Sequence, residues 1–311
     1  MNQFKVTHSP FIKSANSVNF IKEQKLIMLI MVFVVGLIMT SWQALYLLGV
    51  SLASALVFEL IYNVVCYEKL RVDFLEVLIC SITFTCLIGP KTPLYVPIIA
   101  MAFSIIICKM VFGRNENHVV NASAGGALFV GIIFSQGANL FVKVSGSSFM
   151  RNPYGALLEN NIESFNIIRC LKGQISASIG CVCIAVVAVA LIYLIATHSV
   201  GIKIPIIAVV SFVLITFAIN QFNYEYILPY LFSGNFLFVT TFMLTEFSTS
   251  PNTTLGQFIY AIIFGVGASL IIKYSGGGDM AILALLVCVN CLSPLLDRVI
   301  RPHYFGEGAN E

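Results

Sequence analysis

Glu59 lies inside an apolar run, residues 44–66, with Asn63 four residues on. At that spacing the two share one helix face. An ionisable group within an apolar helix is costly to bury and marks an ion or proton path by default. A competing reading puts the carboxylate near the end of its run, reaching water or pairing with Lys69. Further on, Arg114-Asn115-Glu116-Asn117-His118 precedes Asn121, which opens another apolar run. Free amides at a helix N-terminus attract anions and polar ligands, and Asn121 equally suits a plain N-cap behind a solvated loop. Cys288-x-x-Cys291 has the spacing of a redox or metal pair. It is a single pair inside an apolar run, where cysteine is also a common packing residue. Asp279, after three glycines, complements a helix dipole. His8, His118, His198 and His303 sit in loops, tails or helix ends and make no metal set. No phosphate-binding loop, dinucleotide fingerprint or nucleophile elbow is present, and no residue is assigned a catalytic role.

The elements that must position these residues are unusually apolar. Mean hydropathy is +0.94, with 59% hydrophobic and 10% charged residues in 311, far from the soluble range. A bilayer core of roughly 30 Å needs about 20 apolar residues per helix. Helices are expected at 26–42, 44–66, 74–89, 94–113, 121–141, 175–197, 203–220, 229–246, 256–273 and 279–296. The fold class is therefore an all-α integral membrane protein with about ten transmembrane helices. The first two nearly fuse, so nine is the alternative count. The polar region before Leu26 is too long for the n-region of a signal peptide, and no small-residue cleavage site follows.

Basic residues set the orientation. With ten helices, Lys5, Lys13, Lys22, Lys25, Lys69, Arg71, Lys109, Arg114, Lys203, Arg298 and Arg301 fall on one side, and only Lys91 and Lys273 on the other, leaving aside the one long polar loop. Both termini are expected in the cytoplasm and the loop outside. The organisation is then a cytoplasmic segment 1–25, five helices over 26–141, an external loop 142–174, five helices over 175–297 and a cytoplasmic tail 298–311. The net charge of +3 reflects this bias and implies no nucleic-acid partner. Of the nine cysteines only Cys170 falls in the external loop, as a lone thiol.

The two halves carry a repeated pattern. Thr83-Phe84 leads to Thr92-Pro93, and Thr241-Phe242 leads to Ser250-Pro251, with nine residues from Phe to Pro each time. By the helix count one turn is outside and the other inside, so helices 1–5 and 6–10 read as two inverted five-helix repeats. Such folds place their site near the pseudo-two-fold at mid-membrane.

These same residues resemble the RnfD/NqrB family, membrane subunits of ion-pumping ferredoxin– or ubiquinone–NADH oxidoreductases. Ser233-Gly234 … Phe242-Met243-Leu244-Thr245-Glu246 … Ser250-Pro251 is similar to the family's SGG…FMATDP…TP. Asn290 … Pro294-Leu295-Leu296-Asp297 … Pro302 … Phe305-Gly306 is similar to N…PLID…P..FG. Ser9-Pro10-Phe11-Ile12-Lys13 resembles the RnfD N-terminal motif SPHI(R/K), Ile204-Pro205 matches RIP, and Phe112-Gly113 … Asn121-Ala122 sits at FGG…FNPA. Motif order is kept over nearly the whole chain. Phe11 replaces a His, Ala122 a Pro, Glu246 an Asp and Phe247 the Pro after it; Arg114 and Glu116 replace glycines.

The resemblance implies FMN joined by a phosphoester to the last residue of D-x-x-S/T-G-A-T. Here the segment is Val142-Lys143-Val144-Ser145-Gly146-Ser147-Ser148, with Ser148 at the acceptor position and the opening Asp missing. Ser145 and Gly146 keep the loop small enough for a flavin transferase to reach it. The resemblance also implies riboflavin, a central flavin or ion site lined by Asn121, Thr245 and Glu246, a Glu at position 59, membrane lipid, and partner subunits of an Rnf-like complex. The expected function is a membrane subunit of that complex, passing electrons through flavin and coupling redox to Na+ or H+ translocation in a bacterial or archaeal cytoplasmic membrane. It would be part of a translocase rather than a catalyst alone. The alternatives are a non-redox transporter or channel on the same fold, and an RnfD-like subunit of a specialised biosynthetic electron-transfer system. A reporter active only outside the cytoplasm, fused after Phe149, is expected to be active; activity of a cytoplasm-only reporter there would overturn the topology.

Overall fold

The computed structural model describes residues 17–67, 72–114, 117–134, 157, 166–232, 234–274 and 278–300. Ser145, Gly146, Ser148, Lys69, His8 and His303 lie outside the described residues.

Helix α1 spans Val18–Met39, eight residues earlier than hydropathy places its start. Ser17 Oγ accepts from the Phe20 amide at 3.2 Å, an N-cap that satisfies one orphan donor. Lys22 and Lys25 are thereby drawn into the helix. Helix α2 (Gln43–Tyr67) follows after a short break, so the first two helices are separate. Helix α3 (Phe74–Leu87) is buried from Ile79 to Leu87 without interruption, the signature of a central helix. Helix α4 (Tyr95–Ala102) continues in the wider π winding over Phe103–Val111, closed by the Phe112 amide donating to the Ile107 carbonyl at 3.0 Å. A two-residue antiparallel ladder sets Gly113 opposite His118 and Arg114 opposite Asn117, and α5 spans Ala122–Ile133.

In the second half, α6 is Ile167–Leu171 and α7 Ile184–Ala196. The expected helix 175–197 is corrected here: a 3-10 turn, Ile179–Cys181, occupies part of its first third. That stretch satisfies its backbone by tertiary contact instead, the Ile179 amide donating to the Ile88 carbonyl at 3.1 Å. Cys170, expected in an open loop, is buried, and burial pushes its thiol up to about 11. Helix α8 is Lys203–Ile219. The expected helix 229–246 is broken into α9 (Ile227–Leu231) and α10 (Phe236–Phe242). Between them Gly234 has φ +63°, and a Cβ there would come 2.7 Å from Asp279 Oδ1, so only glycine fits the break. Helices α11 (Thr254–Tyr274) and α12 (Gly278–Val299) complete the described fold.

Gln43–Val65 of α2, α11 and α12 are long and apolar enough to cross a membrane, and five shorter apolar helices lie beside them. Outward-facing side chains such as Ile38, Trp42, Val65, Ile192, Leu214 and Val299 are exposed and apolar, suited to lipid rather than water. This is an all-α, multi-pass membrane protein. Its two Pro-containing turns lie at opposite ends of α1. The turn after Ile88 is tied to Ile179, which touches Gly36 near the end of α1; the segment before Pro251 carries Glu246, which meets Lys25 near the start.

Without a hydrophobic force between helices in lipid, packing relies on small residues and hydroxyl pairs. Helix α11 lies close along α8 because Gly265 has no Cβ to meet Ser211 Oγ and the Ala208 carbonyl. The Thr216 and Ser269 hydroxyls bond across the same seam at 2.8 Å, and Lys273 Nζ donates to Asn220 Oδ1 at 2.7 Å. Gly265→Leu is expected to wedge the seam open and cost about 1–3 kcal/mol, as overpacking does, lowering the unfolding temperature in detergent. Gly49→Ala, where nothing lies within 4 Å, should leave that temperature unchanged or slightly higher.

Candidate functional site

The π-wound end of α4 carries Lys109 into the bundle, where its side chain is 6% exposed. Its Nζ lies 3.1 Å from Glu59 Oε2 on α2 and 3.1 Å from Glu76 Oε2 on α3. Glu59 is buried, and its other oxygen accepts from the Asp73 amide at 3.0 Å. The partner of Glu59 is thus Lys109; Asn63 follows one turn later on α2, half-buried. Glu76 also meets Lys22 Nζ of α1 at 2.6 Å and His118 Nε2 at 3.7 Å.

A second group of charges stands beside the first. Lys25 Nζ of α1 lies 3.0 Å from Glu246 Oε1, and the other Glu246 oxygen accepts from Asn121 Nδ2. Asn121 is also the N-cap of α5: its Oδ1 accepts from the Ala124 amide at 3.0 Å and the Ser123 hydroxyl at 2.7 Å. Asn121 therefore caps α5 with its Oδ1 while its Nδ2 faces Glu246. Glu246 is reached because α10 stops at Phe242, and the chain turns through residues 243–251.

Between the two groups is a cavity of ≈ 130 Å³. Its polar wall includes Lys22, Lys25, Glu76, Lys109, His118, Asn121, Ser123, Thr245 and Glu246, and its apolar wall Ile21, Ile79, Leu194, Val200 and Phe247. Thr83 and Thr241, the threonines of the repeated Thr-Phe pair, both line it. Each donates its hydroxyl to the carbonyl four residues back, Thr83 to Ile79 at 2.6 Å and Thr241 to Leu237 at 2.8 Å. Thr245 does the same with Thr241 at 2.7 Å.

Asn121, Thr245 and Glu246 are thus brought together, and Glu59 is paired with Lys109, which lines the same cavity. Lys22, Lys25, Glu76 and His118 belong to the same site and were not anticipated. Glu76 had a readable signal, a carboxylate in a strongly apolar run. His118 is not a surface loop residue: it lines the cavity, and its Nδ1 is buried with no hydrogen-bond partner among the described residues. Cys288 and Cys291 are exposed on α12, away from this site. No group of three or more His, Cys, Asp or Glu that could hold a metal occurs among the described residues.

A multi-pass helical membrane protein with a charged cavity between its halves is the class this geometry defines. The chain belongs to the NQR2, RnfD, RnfE family, whose profile matches residues 5–306. It is 22% identical over 315 residues to the subunit designated D of the Na(+)-translocating ferredoxin:NAD(+) oxidoreductase complex of Acetobacterium woodii, covering 98% of this chain and 97% of that one. Likeness to the corresponding subunit of the proton-translocating ferredoxin:NAD(+) oxidoreductase complex of Clostridium ljungdahlii is also 22%, over 322 residues, with 98% and 97% covered. An 81-residue stretch is 37% identical to the corresponding subunit of the ion-translocating oxidoreductase complex of Stutzerimonas stutzeri, covering 26% of this chain and 22% of that one.

Removing one partner of a buried ion pair strands the other in low dielectric, at a cost of about 3–5 kcal/mol. Lys109→Met should cost that much, read as a drop in unfolding temperature, because Glu59 and Glu76 both lose their shared ammonium. Adding Glu59→Gln to Lys109→Met should recover part of the loss; an additive further loss would show that the pair is not coupled.

Proposed function

We propose that the chain is a membrane subunit of an Rnf-like electron-transport complex, passing electrons through flavin and coupling their flow to Na+ or H+ movement. The observation that carries this is the paired charge, buried at Glu59 and Lys109 and half-buried at Glu76 and Glu246, around one cavity to which both halves contribute. Glu59 and Glu76 come from the first half and Glu246 from the second. Intramembrane carboxylates of this kind mark ion and proton routes. The two halves act as inverted five-helix repeats: Thr83 and Thr241, equivalent in that relation, line the same cavity, as a site on a pseudo-two-fold requires. In the charge-derived orientation this cavity opens toward the cytoplasm and both termini lie there.

Relatives named for Na+ and for proton translocation are equally similar, at 22%, so the choice of ion rests with local side chains. The other subunits of the complex supply the electron donor and acceptor sites. A flavin, when bound, supplies one- and two-electron transfer. For a non-covalent flavin such as riboflavin, the cavity offers hydrogen-bonding side chains on one wall (His118 Nδ1, Asn121, Ser123, Thr245) and apolar side chains on the other. A covalent FMN would be carried by Ser148, the last hydroxyl of Ser145-Gly146-Ser147-Ser148.

With a flavin transferase coexpressed, the denatured protein is expected to fluoresce in a gel. Ser148→Ala should abolish the band, Ser148→Thr keep it, and Ser147→Ala leave most of it, because transfer needs one hydroxyl in line with the phosphate. A band that survives Ser148→Ala moves the attachment to Ser147 or Ser145. A wild-type chain without covalent flavin would favour the transporter or the specialised electron-transfer subunit instead.

A further inference from the structure

Among the described residues, Lys22, Lys25, Lys109 and Lys273 are the lysines drawn below the surface. The first three meet carboxylates. Lys273 is different. Its ammonium donates to Asn220 Oδ1 at 2.7 Å, and no carboxylate lies within ion-pair reach of it among the described residues. An ammonium has three hydrogens to donate, and a neutral amide oxygen leaves its charge uncompensated. A lysine that only complements the dipole at its helix end can stay in water. This one is pinned at the end of the seam between α8 and α11. Asn220 is itself buried, and its Nδ2 donates to the Thr216 carbonyl at 2.9 Å, which fixes Oδ1 toward Lys273.

The chain beside Lys273 is strained. Gln221 has φ +56° and Phe222 φ +61°, a conformation glycine adopts freely and a bulky side chain rarely does. The bend is closed by the Phe222 amide donating to the Phe217 carbonyl at 3.0 Å. It sets the Phe222 ring edge-on to Phe217 and leaves Phe222 exposed, as are Tyr224 and Tyr274. Strain of this kind is held where the surroundings make use of it. Helix α11 has 21 residues, about 30 Å of rise, which matches the hydrocarbon core of a bilayer. It starts beside the turn that presents Glu246, so Lys273 stands at the opposite end, at headgroup level and away from the cavity. Aromatic rings at that level sit among lipid headgroups. Leu270, one turn before Tyr274 on the same helix face, is exposed and apolar. Glu225, the carboxylate of this loop, is exposed and accepts from Asn223 Nδ2 at 3.4 Å. We infer that Lys273 holds the phosphodiester of a membrane phospholipid, with Phe222, Tyr224 and Tyr274 around the headgroup and an acyl chain laid along Leu270. Asn220 is the positioning residue that keeps the ammonium at this place. The seat is separate from the cavity and does not depend on the redox reading.

The test uses the full chain, purified and stripped of lipid in a neutral glycoside detergent, and reads its unfolding temperature as phosphatidylglycerol is added to the micelles. A ligand that binds only the folded state, at several times its dissociation constant, should raise that temperature by about 3 °C. Lys273→Gln should lose most of the rise, and Lys273→Arg should keep it, because a guanidinium still donates to phosphate. Lys203→Gln removes an exposed charge at the far end of α8. It should leave the rise intact, which separates a defined seat from general attraction to anionic micelles. Should Lys273→Gln fail to fold, Asn220→Asp carries the comparison: it keeps the lysine, gives it an internal carboxylate and should blunt the lipid response in the same way. No rise in the wild type, an equal rise in Lys273→Gln, or an equal rise with diacylglycerol, which lacks the phosphate, overturns the seat. Glycerol 3-phosphate matching the phospholipid would assign the position to a soluble anion and overturn the lipid.

Discussion

Charge in an apolar bundle has to be paired, and the rest of this structure is arranged around that constraint. Lys109 stands between Glu59 and Glu76, so α2, α3 and α4 meet where the three side chains require. The wide π winding over Phe103–Val111 delivers Lys109 to that point; such windings inside α-helices recur at functional sites. Helix α1 then ties both halves together. Lys22 reaches Glu76 in the first and Lys25 reaches Glu246 in the second. Buried ion pairs contribute little net stability compared with apolar packing. A buried Lys109–Glu59 pair with half-buried pairs beside it therefore points to use rather than to strength.

The broken elements follow from a second constraint, that backbone polar groups away from water need partners. Irregular chain occurs in this fold where neighbouring protein can satisfy it. The Ile179 amide bonds to the Ile88 carbonyl. The Thr249 and Ser250 amides bond back to the Glu246 carbonyl, and Asp297 at the end of α12 accepts the Asn252 and Thr253 amides at 3.0–3.2 Å. The last of these anchors the turn that presents Glu246. By resemblance the family has Asp at that position; the extra methylene of Glu246 lengthens the reach to Lys25 and Asn121.

Hydropathy determined by itself that the chain is helical and membrane-embedded, and it located α2, α3, α4, α8, α11 and α12 to within about three residues, as strongly periodic or uniformly apolar segments allow. Glu59 was legible as a candidate because a carboxylate in an apolar run is conspicuous, whereas Asn121, Thr245 and Glu246 were candidates through the family resemblance and the mirrored half. Hydropathy could not find the break at Gly234 or the non-helical stretch before Ile184. Apolar composition is the same on both sides of a break, and the cause, Asp279 or Ile88 nearby, lies elsewhere in the chain. It also could not assign partners. Glu59 had Lys69 close in sequence, but its ammonium comes from Lys109, 50 residues away. Lys25 and Glu246 are 221 residues apart. Which charges neutralise one another is a property of helix packing in a low-dielectric interior, and only the tertiary structure decided it.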